Sequence, residues 1–371
     1  MSSELDTLRK EIDNCDSELL DILSKRYKAV EKIGQIKQTL GLPIYSPDRE
    51  KKMFKSLKQM ALQKKISPDL IEDIIKRIMQ DSYSKENNHS FNCLNDNNKY
   101  IVIVGGNGKL GGLFLKLFKS SKYRVVSVDK QDWASSSDYF KNAALVIVSV
   151  PISLTKSVIN KIPVLPKDCI LADFTSLKKE PLAAMLAQHS GPVVGLHPMF
   201  GPDIKNLAKQ LIICCNGRQK ESYRWFLDQL IIWGANIVDI SADEHDHYMK
   251  YIQVLRHFTS FIYGNFLRDQ DVNLKKLIDL SSPIYNLELT MVGRLFAQDP
   301  SLYKDIVFSS EQSLDIIDEF LKYFSLNFSH LKKEKGEHFK AEFKETSEWF
   351  GDFSRKFMKE SKRLLIQGNQ K

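Results

Sequence analysis

The chain has 371 residues, with 54 Lys and Arg against 46 Asp and Glu, a formal net charge of +8. That length allows two or three domains; no apolar run reaches the roughly 20 residues of a membrane helix, and the basic residues are interspersed with acidic ones, which argues against a nucleic-acid footprint and suits dianionic ligands or, equally, an ordinary solvated surface. Five cysteines, Cys15, Cys93, Cys169, Cys214 and Cys215, are odd in number and lack CxxC or Cys/His spacing, so a reducing cytoplasm and no structural metal are expected.

The first element is an amphipathic helix that begins near the N-terminus, where a secretory leader would otherwise stand. Stepping alternately by three and four gives Leu5, Leu8, Ile12, Cys15, Leu19, Ile22, Arg26, Ala29, Ile33, Ile36 and Leu40, a heptad seam with one charge in it. A guanidinium on the buried face of a helix about 54 Å long costs several kcal/mol in desolvation unless an anion meets it. Arg26 therefore points to an anionic ligand inside a helical bundle. Lys37 lies roughly 20° around and about 16 Å along the helix from Arg26, within leaning distance for two long side chains. Arg9 lies about 100° off that face and suits a partner's site better than its own.

A second helix is expected from Pro47, whose Pro47-Asp48-Arg49-Glu50 start places Arg49 and Glu50 in the first turn. A third starts at Ser67-Pro68-Asp69; Ile71, Ile75 and Ile78 form its apolar face, which Ser82 and Glu86 extend at i+4 steps. Pattern alone also admits a coiled-coil dimeriser whose Arg26 sets the register. The motifs go further: Leu8-Arg9, Lys25-Arg26, Gly34-Gln35-Ile36-Lys37, Asp48-Arg49-Glu50 and Asp81-Ser82-Tyr83 resemble the all-helical chorismate mutases in order and spacing. The resemblance implies an intertwined dimer in which Arg26, Lys37, Arg49, Glu50, Ser82 and Glu86 form a site completed by Arg9 of the partner subunit. Its reaction would be a pericyclic rearrangement of chorismate to prephenate. That chemistry needs no nucleophile, only cations that hold a dicarboxylate in its reactive conformer and stabilise charge on the breaking ether oxygen. Some such mutases carry glutamine where this chain has Glu86. A glutamate donates a hydrogen bond only when protonated, so burial is expected to raise the Glu86 pKa, or mutase activity to fall as pH rises.

The polar, asparagine-rich stretch from Lys85 to Lys99 reads as a linker, with the helical domain at 1–90 and the junction at 91–98. A short apolar strand, Tyr100-Ile101-Val102-Ile103-Val104, then runs into Gly105-Gly106-Asn107-Gly108-Lys109-Leu110-Gly111 and a helix; a second strand, Tyr123 to Val128, ends at Asp129. Strand, glycine turn, helix and an acidic residue 23 positions beyond Gly106 make a dinucleotide fingerprint. Gly106 is assigned the tight turn, Gly108 the approach to the pyrophosphate and Gly111 the helix–strand packing. Lys109 and Leu110 open the helix, and Ser149 and Pro151 close the next buried strand, Leu145 to Val150. Asp129 should accept from the ribose hydroxyls and repel a 2′-phosphate, favouring NAD over NADP. Some other doubly wound fold with a glycine-rich turn is the alternative. The NAD-binding Rossmann-type domain is expected at 99–242.

Further on, Val193-Val194-Gly195-Leu196-His197-Pro198 puts His197 at the exit of an apolar strand, where α/β enzymes place their chemistry. This passage, with Asp173-Phe174-Thr175-Ser176-Leu177-Lys178 before it and Met291-Val292-Gly293-Arg294-Leu295-Phe296 after it, resembles prephenate dehydrogenase. Both halves, in this order, resemble the bifunctional chorismate mutase/prephenate dehydrogenases. The resemblance implies that His197 accepts a hydrogen bond or proton from the substrate hydroxyl while hydride leaves to NAD, so that activity falls below the histidine pKa, near ~6.5 if unperturbed. It also implies that Ser176 supports that histidine and that Lys178 is a cofactor- or substrate-side cation. Arg294 is the candidate for the ring carboxylate, and His245 and His257 are further pocket residues. Asn286 stands where the family leads one to expect arginine.

From about Ala242 the chain reads as successive amphipathic helices, giving a C-terminal all-helical substrate and dimerisation domain at 243–371. A homodimer and feedback inhibition by tyrosine are implied, with no nucleic acid or membrane partner. Two rivals remain: a protein that senses NAD without turnover, and a dehydrogenase of another β-hydroxy acid whose helical segment is a dimerising relic. The joint presence of His197, Ser176, Arg294 and the helical cations argues against the first.

Overall fold

A computed structural model describes residues 2–86, 91–95, 98–201, 203–333 and 336–368. Helix α1 spans Ser2–Leu40. It ends where Gly41 adopts a φ of +64°, which lets Leu42 N–H return to the Lys37 carbonyl at 2.9 Å. Helix α2 spans Pro47–Gln63, opened by its proline and with Asp48 and Glu50 in the first turn, and α3 spans Pro68–Glu86. Along α1 the heptad stripe is uncovered within one chain, with Leu8 at 52%, Ile22 at 59% and Leu40 at 64% exposure. The expectation of a buried seam therefore needs a second helix layer. The expected linker also starts too early, since Lys85 and Glu86 are helical. Its middle is anchored: Phe91 is buried, and the Leu94 amide donates to the Tyr123 hydroxyl at 3.0 Å.

The centre of the chain is one seven-stranded sheet. In chain order the elements are β1 (Tyr100–Val104), α4 (Lys109–Ser120), β2 (Arg124–Val128), α5 (Ser137–Lys141), β3 (Ala143–Val148), α6 (Ile152–Ile159), β4 (Ile170–Asp173), α7 (Lys179–Gln188), β5 (Val193–Pro198), β6 (Leu211–Arg218), α8 (Arg224–Ile232) and β7 (Asn236–Asp239). The strand order is β2-β1-β3-β4-β5-β6-β7. Strands β1 to β5 pair in parallel, and all six residues of β3 are buried, the near-continuous apolar pattern of a sheet covered on both faces. The order reverses between β1 and β3, which opens a crevice at the carboxyl ends of those strands. Strand β6, which the sequence reading did not anticipate, runs antiparallel to β5 and sets His197 opposite Ile213. Phe114, Phe118, Tyr223, Phe226 and Trp233 fill the core beneath the sheet.

After β7 the described chain is helical: α9 (Ala242–Met249), a π-helical stretch Lys250–Leu255, α10 (Arg256–Asp269), α11 (Leu274–Asp279), α12 (Pro283–Phe296), α13 (Pro300–Val307), α14 (Glu311–Lys333), α15 (Glu337–Phe350) and α16 (Asp352–Gly368). The chain divides into two compact units, one of Met1–Val150 with Leu154–His245, the other of Pro151–Ser153 with Asp246–Lys371. The helical segment α1–α3 and the sheet thus share the first unit. The second has its own small core of Val254, Ile306 and Ile317, and Ser153 donates from its hydroxyl to Asp305 at 2.8 Å there. Among the described residues no helix is long and apolar enough to cross a membrane.

Candidate functional site

Three groups of side chains carry the chemistry. The first lies on α1–α3. Half-buried Arg26 donates from Nη1 to the Ser82 hydroxyl at 2.6 Å, and that hydroxyl donates in turn to the Ile78 carbonyl at 2.8 Å. The 56-residue separation is closed because α1 packs against α3. Lys37 donates to the Ile44 carbonyl at 2.6 Å. Glu50, 9% exposed, accepts from the Tyr83 hydroxyl on one oxygen and from Lys209 Nζ at 2.7 Å on the other. Arg49 and Arg9 are exposed, and Arg9 pairs with Asp6 at 3.4 Å on its own helix. The Glu86 side chain lies outside the described residues. The structure thus joins Arg26 to Ser82 and Glu50 to Tyr83, and leaves Arg9 on the open face of α1. Tyr83 and Lys209 were missed. Tyr83 adjoins Ser82 in a quoted motif, whereas Lys209 stands 159 residues from Glu50 and gives no local signal.

The second group is the glycine turn between β1 and α4. Gly105, not Gly106, carries the left-handed backbone, with φ +85°, and a Cβ there would come within 2.3 Å of the Ser149 carbonyl. A Cβ on Gly111 would come within 2.4 Å of the Gly105 carbonyl, so the helix lies as close to the turn as only glycine permits. Gly108 caps α4 without a side-chain hydrogen bond, leaving the first-turn N–H groups of Lys109 and Leu110 without a side-chain cap. Asp129, at the end of β2, accepts from Ser127 Oγ at 2.6 Å and from the Asn107 amide at 3.3 Å. Ser149 ties its amide to the Val104 carbonyl at 2.8 Å, and Pro151 belongs to the second unit. A backbone cradle at a helix N-terminus with a carboxylate at the next strand end fits the pyrophosphate and ribose of a dinucleotide.

The third group surrounds His197 at the end of β5. It is 3% exposed, and its Nδ1 lies 2.8 Å from Nε2 of His245 on α9, which is fully buried. Behind it Lys178, also fully buried, donates to Asp173 at 2.5 Å and to the Leu196 carbonyl at 2.8 Å. Lys178, expected as a cofactor- or substrate-side cation, is a buried partner of Asp173. Gly195 makes room for this pair, since a Cβ there would stand 3.2 Å from Lys178 Cδ. Burial pushes the His197 pKa well below the usual histidine value, and the neighbouring His245 and Lys178 push the same way. The value of ~6.5 expected of an unperturbed imidazole therefore does not apply to His197, and its acid limb is expected below it. Burial raises the Asp173 pKa against the opposing pull of Lys178. Asp173 is a site residue that the sequence reading lacks, and its place at the carboxyl end of a buried strand is the available signal. Ser176 is half-buried between β4 and α7.

Within the second unit, the His257 ring meets Tyr303 with centroids 4.8 Å apart. Burial first, and then Arg256, push the His257 pKa down to about 4. Arg294, exposed in the last turn of α12, and Arg256 both bear on Tyr303, pulling its pKa down against the larger upward push of burial. Asn286 is in the first turns of α12, its amide donating to the Ser282 carbonyl at 2.9 Å. Among the described residues no group of three or more metal-ligating side chains occurs.

Fold and site define a class: a dinucleotide-dependent dehydrogenase preceded in the chain by a cation-bearing helical segment and followed by a helical domain. The chain matches the families described as chorismate mutase type II over residues 8–87, the nucleotide-binding domain of prephenate dehydrogenase over 119–215, and its dimerization domain over 241–345. It is 49% identical to the T-protein of Enterobacter agglomerans, covering 100% of this chain and 99% of that protein, and 46% identical to the T-protein of Haemophilus influenzae, covering 98% and 97%. It shares its fold with a prephenate dehydrogenase from A. aeolicus solved with hydroxyphenyl propionate and NAD+, at 19% identity and a TM-score of 0.51 over 70% of this chain and 98% of that one. The chain belongs to the T-protein family, the bifunctional chorismate mutases/prephenate dehydrogenases.

Proposed function

We propose that residues 1–90 hold the mutase site and residues 99–371 the dehydrogenase site of this bifunctional enzyme of tyrosine biosynthesis. It rearranges chorismate to prephenate, then oxidatively decarboxylates prephenate with NAD to 4-hydroxyphenylpyruvate, CO2 and NADH. In the mutase site Arg26 and Lys37 hold the carboxylates and ether oxygen, Ser82 orients Arg26, and Arg49, Glu50 and Glu86 complete the pocket, with Arg9 of the partner subunit closing it. The exposed apolar stripe of α1 and the off-face placement of Arg9 support a homodimer that covers both. Fixed cations are enough, because the rearrangement moves electrons around a ring and transfers no proton.

In the dehydrogenase site Gly106, Gly108, Lys109, Leu110, Gly111, Asp129, Ser149 and Pro151 hold the dinucleotide, which supplies the acceptor for the hydride leaving C4 of prephenate. The observation that carries the assignment is the buried His197 against His245. If His197 donates from Nδ1 to His245, its Nε2 keeps a lone pair for the C4 hydroxyl. As the hydroxyl proton passes to Nε2 and a carbonyl forms at C4, the electrons of the C1–CO2 bond enter the ring, which becomes aromatic as CO2 departs. The cationic Lys178, paired with Asp173, opposes protonation of His197 before substrate arrives. Ser176 supports the histidine, Arg294 takes the ring carboxylate, and His257 lines the pocket. Tyrosine, which shares the phenol, methylene and carboxylate of the product, acts as feedback inhibitor. Five free cysteines support a cytoplasmic location.

The test is a coupled assay on purified protein with chorismate and NAD, following chorismate loss and NADH formation, with prephenate and NADP as controls. NADH from both chorismate and prephenate is expected. NADH from prephenate alone would reduce α1–α3 to a dimerising segment, and no turnover of either would sink the enzyme reading.

A further inference from the structure

We propose that Lys209, which belongs to the nucleotide-binding part of the chain, is a positioning residue of the mutase site, holding the Glu50 carboxylate against Tyr83. The proposal rests on the reading that puts Glu50 in that site. The Glu50 side chain is 11% exposed, and a carboxylate taken out of water is costly unless hydrogen-bonded and paired. Tyr83 donates to one oxygen and Lys209 Nζ, at 2.7 Å, to the other, so both oxygens are fixed while each keeps a lone pair for a substrate hydroxyl. The Lys209 side chain is itself 41% exposed, so the ammonium has water to turn to and the carboxylate is the group that needs the pair. The same ammonium lies 5.3 Å from the Tyr45 ring centre and 5.7 Å from that of Tyr83, which confines it over the two aromatic faces.

The backbone adds an independent observation. Lys209 sits at φ +66°, in the left-handed region where glycine or asparagine is less strained. Its turn is rigidly held: the Gln210 amide donates to the Leu207 carbonyl and the Lys209 amide to the Gly234 carbonyl, both at 2.9 Å. The turn is also tied to α3, because Asn206 donates to the Ser84 hydroxyl at 3.1 Å, two residues beyond Ser82. A strained lysine on a turn clamped to a mutase helix is what a positioning role through its side chain requires. The mutase site is thereby completed by a residue from beyond the mutase segment.

The experiment compares Lys209→Met, Lys209→Arg, Glu50→Gln and the double variant Lys209→Met/Glu50→Gln in the full chain, reading mutase kcat and KM on chorismate. NADH formation from prephenate serves as the folding control. Lys209→Met should lower mutase kcat/KM about tenfold, a charge-assisted bond discounted for exposure. Lys209→Arg should recover most of that, and Lys209→Met should cost nothing further once Glu50 is glutamine. An impaired Glu50→Gln beside an unimpaired Lys209→Met overturns the proposal, as does an undiminished Lys209→Met cost in the double variant. An unimpaired Glu50→Gln overturns the reading of Glu50 itself. Should Lys209→Met fail the folding control, Lys209→Asn, which suits the left-handed backbone, takes its place under the same criteria.

Discussion

Arg26 is half-buried and meets a neutral hydroxyl, whereas His197 is 3% exposed and meets a second imidazole with a buried Lys178–Asp173 pair behind it. The helical region presents permanent charge at a face that one chain leaves partly open. The sheet region hides a titratable group and tunes it by burial. The difference follows the chemistry assigned to each: a pericyclic rearrangement asks only for fixed cations, while loss of hydride from an alcohol asks for a base that is neutral beforehand. It also sets what each region tolerates. Substitutions in the open site should act on activity first, and those in the closed site on activity and folding together.

The largest break in this comparison is His197→Asn. It should lower NADH formation from prephenate by about 10²- to 10⁴-fold, the usual worth of a positioned base, while chorismate loss continues. Next comes Arg26→Ala, which should cost the mutase about 10²- to 10³-fold and leave NADH formation from prephenate largely intact. Loss of both activities in either variant would mean that the two regions are not separate sites. A third test addresses folding: Lys178→Met strands a fully buried Asp173 and should cost about 3–5 kcal/mol in denaturant unfolding, most of it recovered by adding Asp173→Asn. A cost below about 1 kcal/mol, the range of surface pairs, would show that the pair is not sealed from water.

How far each region was legible in the sequence follows from the range of its interactions. The glycine turn, Asp129 and the strand ends were readable because the groups that matter lie within one strand–turn–helix unit; even so, the left-handed residue is not Gly106 but Gly105, where the Ser149 carbonyl just beyond β3 leaves no room for a side chain. Arg26 and Ser82 were readable as helix-face positions, and their 2.6 Å contact needed only α1 to pack on α3. Lys178 was visible as a cation but not as the partner of Asp173, since pairing depends on both being fully buried at the end of β4. Lys209 was invisible, because nothing near it in the chain announces a carboxylate 159 residues away. Strands β6 and β7 run opposite to the parallel β1–β5, a reversal that no local pattern in Leu211–Arg218 encodes.

The smallest effects are those of pH, and here the regions should part most cleanly. Free histidine takes up its proton near ~6.5. In His197 burial lowers that value, so the base stays neutral and dehydrogenase activity should persist as pH falls through 6.5, declining only well below it. The same sign holds for stability: a histidine with a depressed folded-state pKa stabilises fully above ~6.5, and that contribution is lost as pH falls toward the folded value. The mutase should run the other way between pH 5 and 9, because guanidinium groups keep their charge throughout while a protonated Glu86 is lost as pH rises. A flat mutase profile would remove the proton from the Glu86 role. Within the closed site, His245→Gln removes the neighbouring imidazole and keeps the burial that chiefly holds the His197 pKa down. The acid limb of NADH formation should therefore move upward yet remain below pH 6.5, read from kcat/KM on prephenate. A limb that reached 6.5 in that variant would make the neighbouring imidazole, and not the dry strand end, the source of the neutral base.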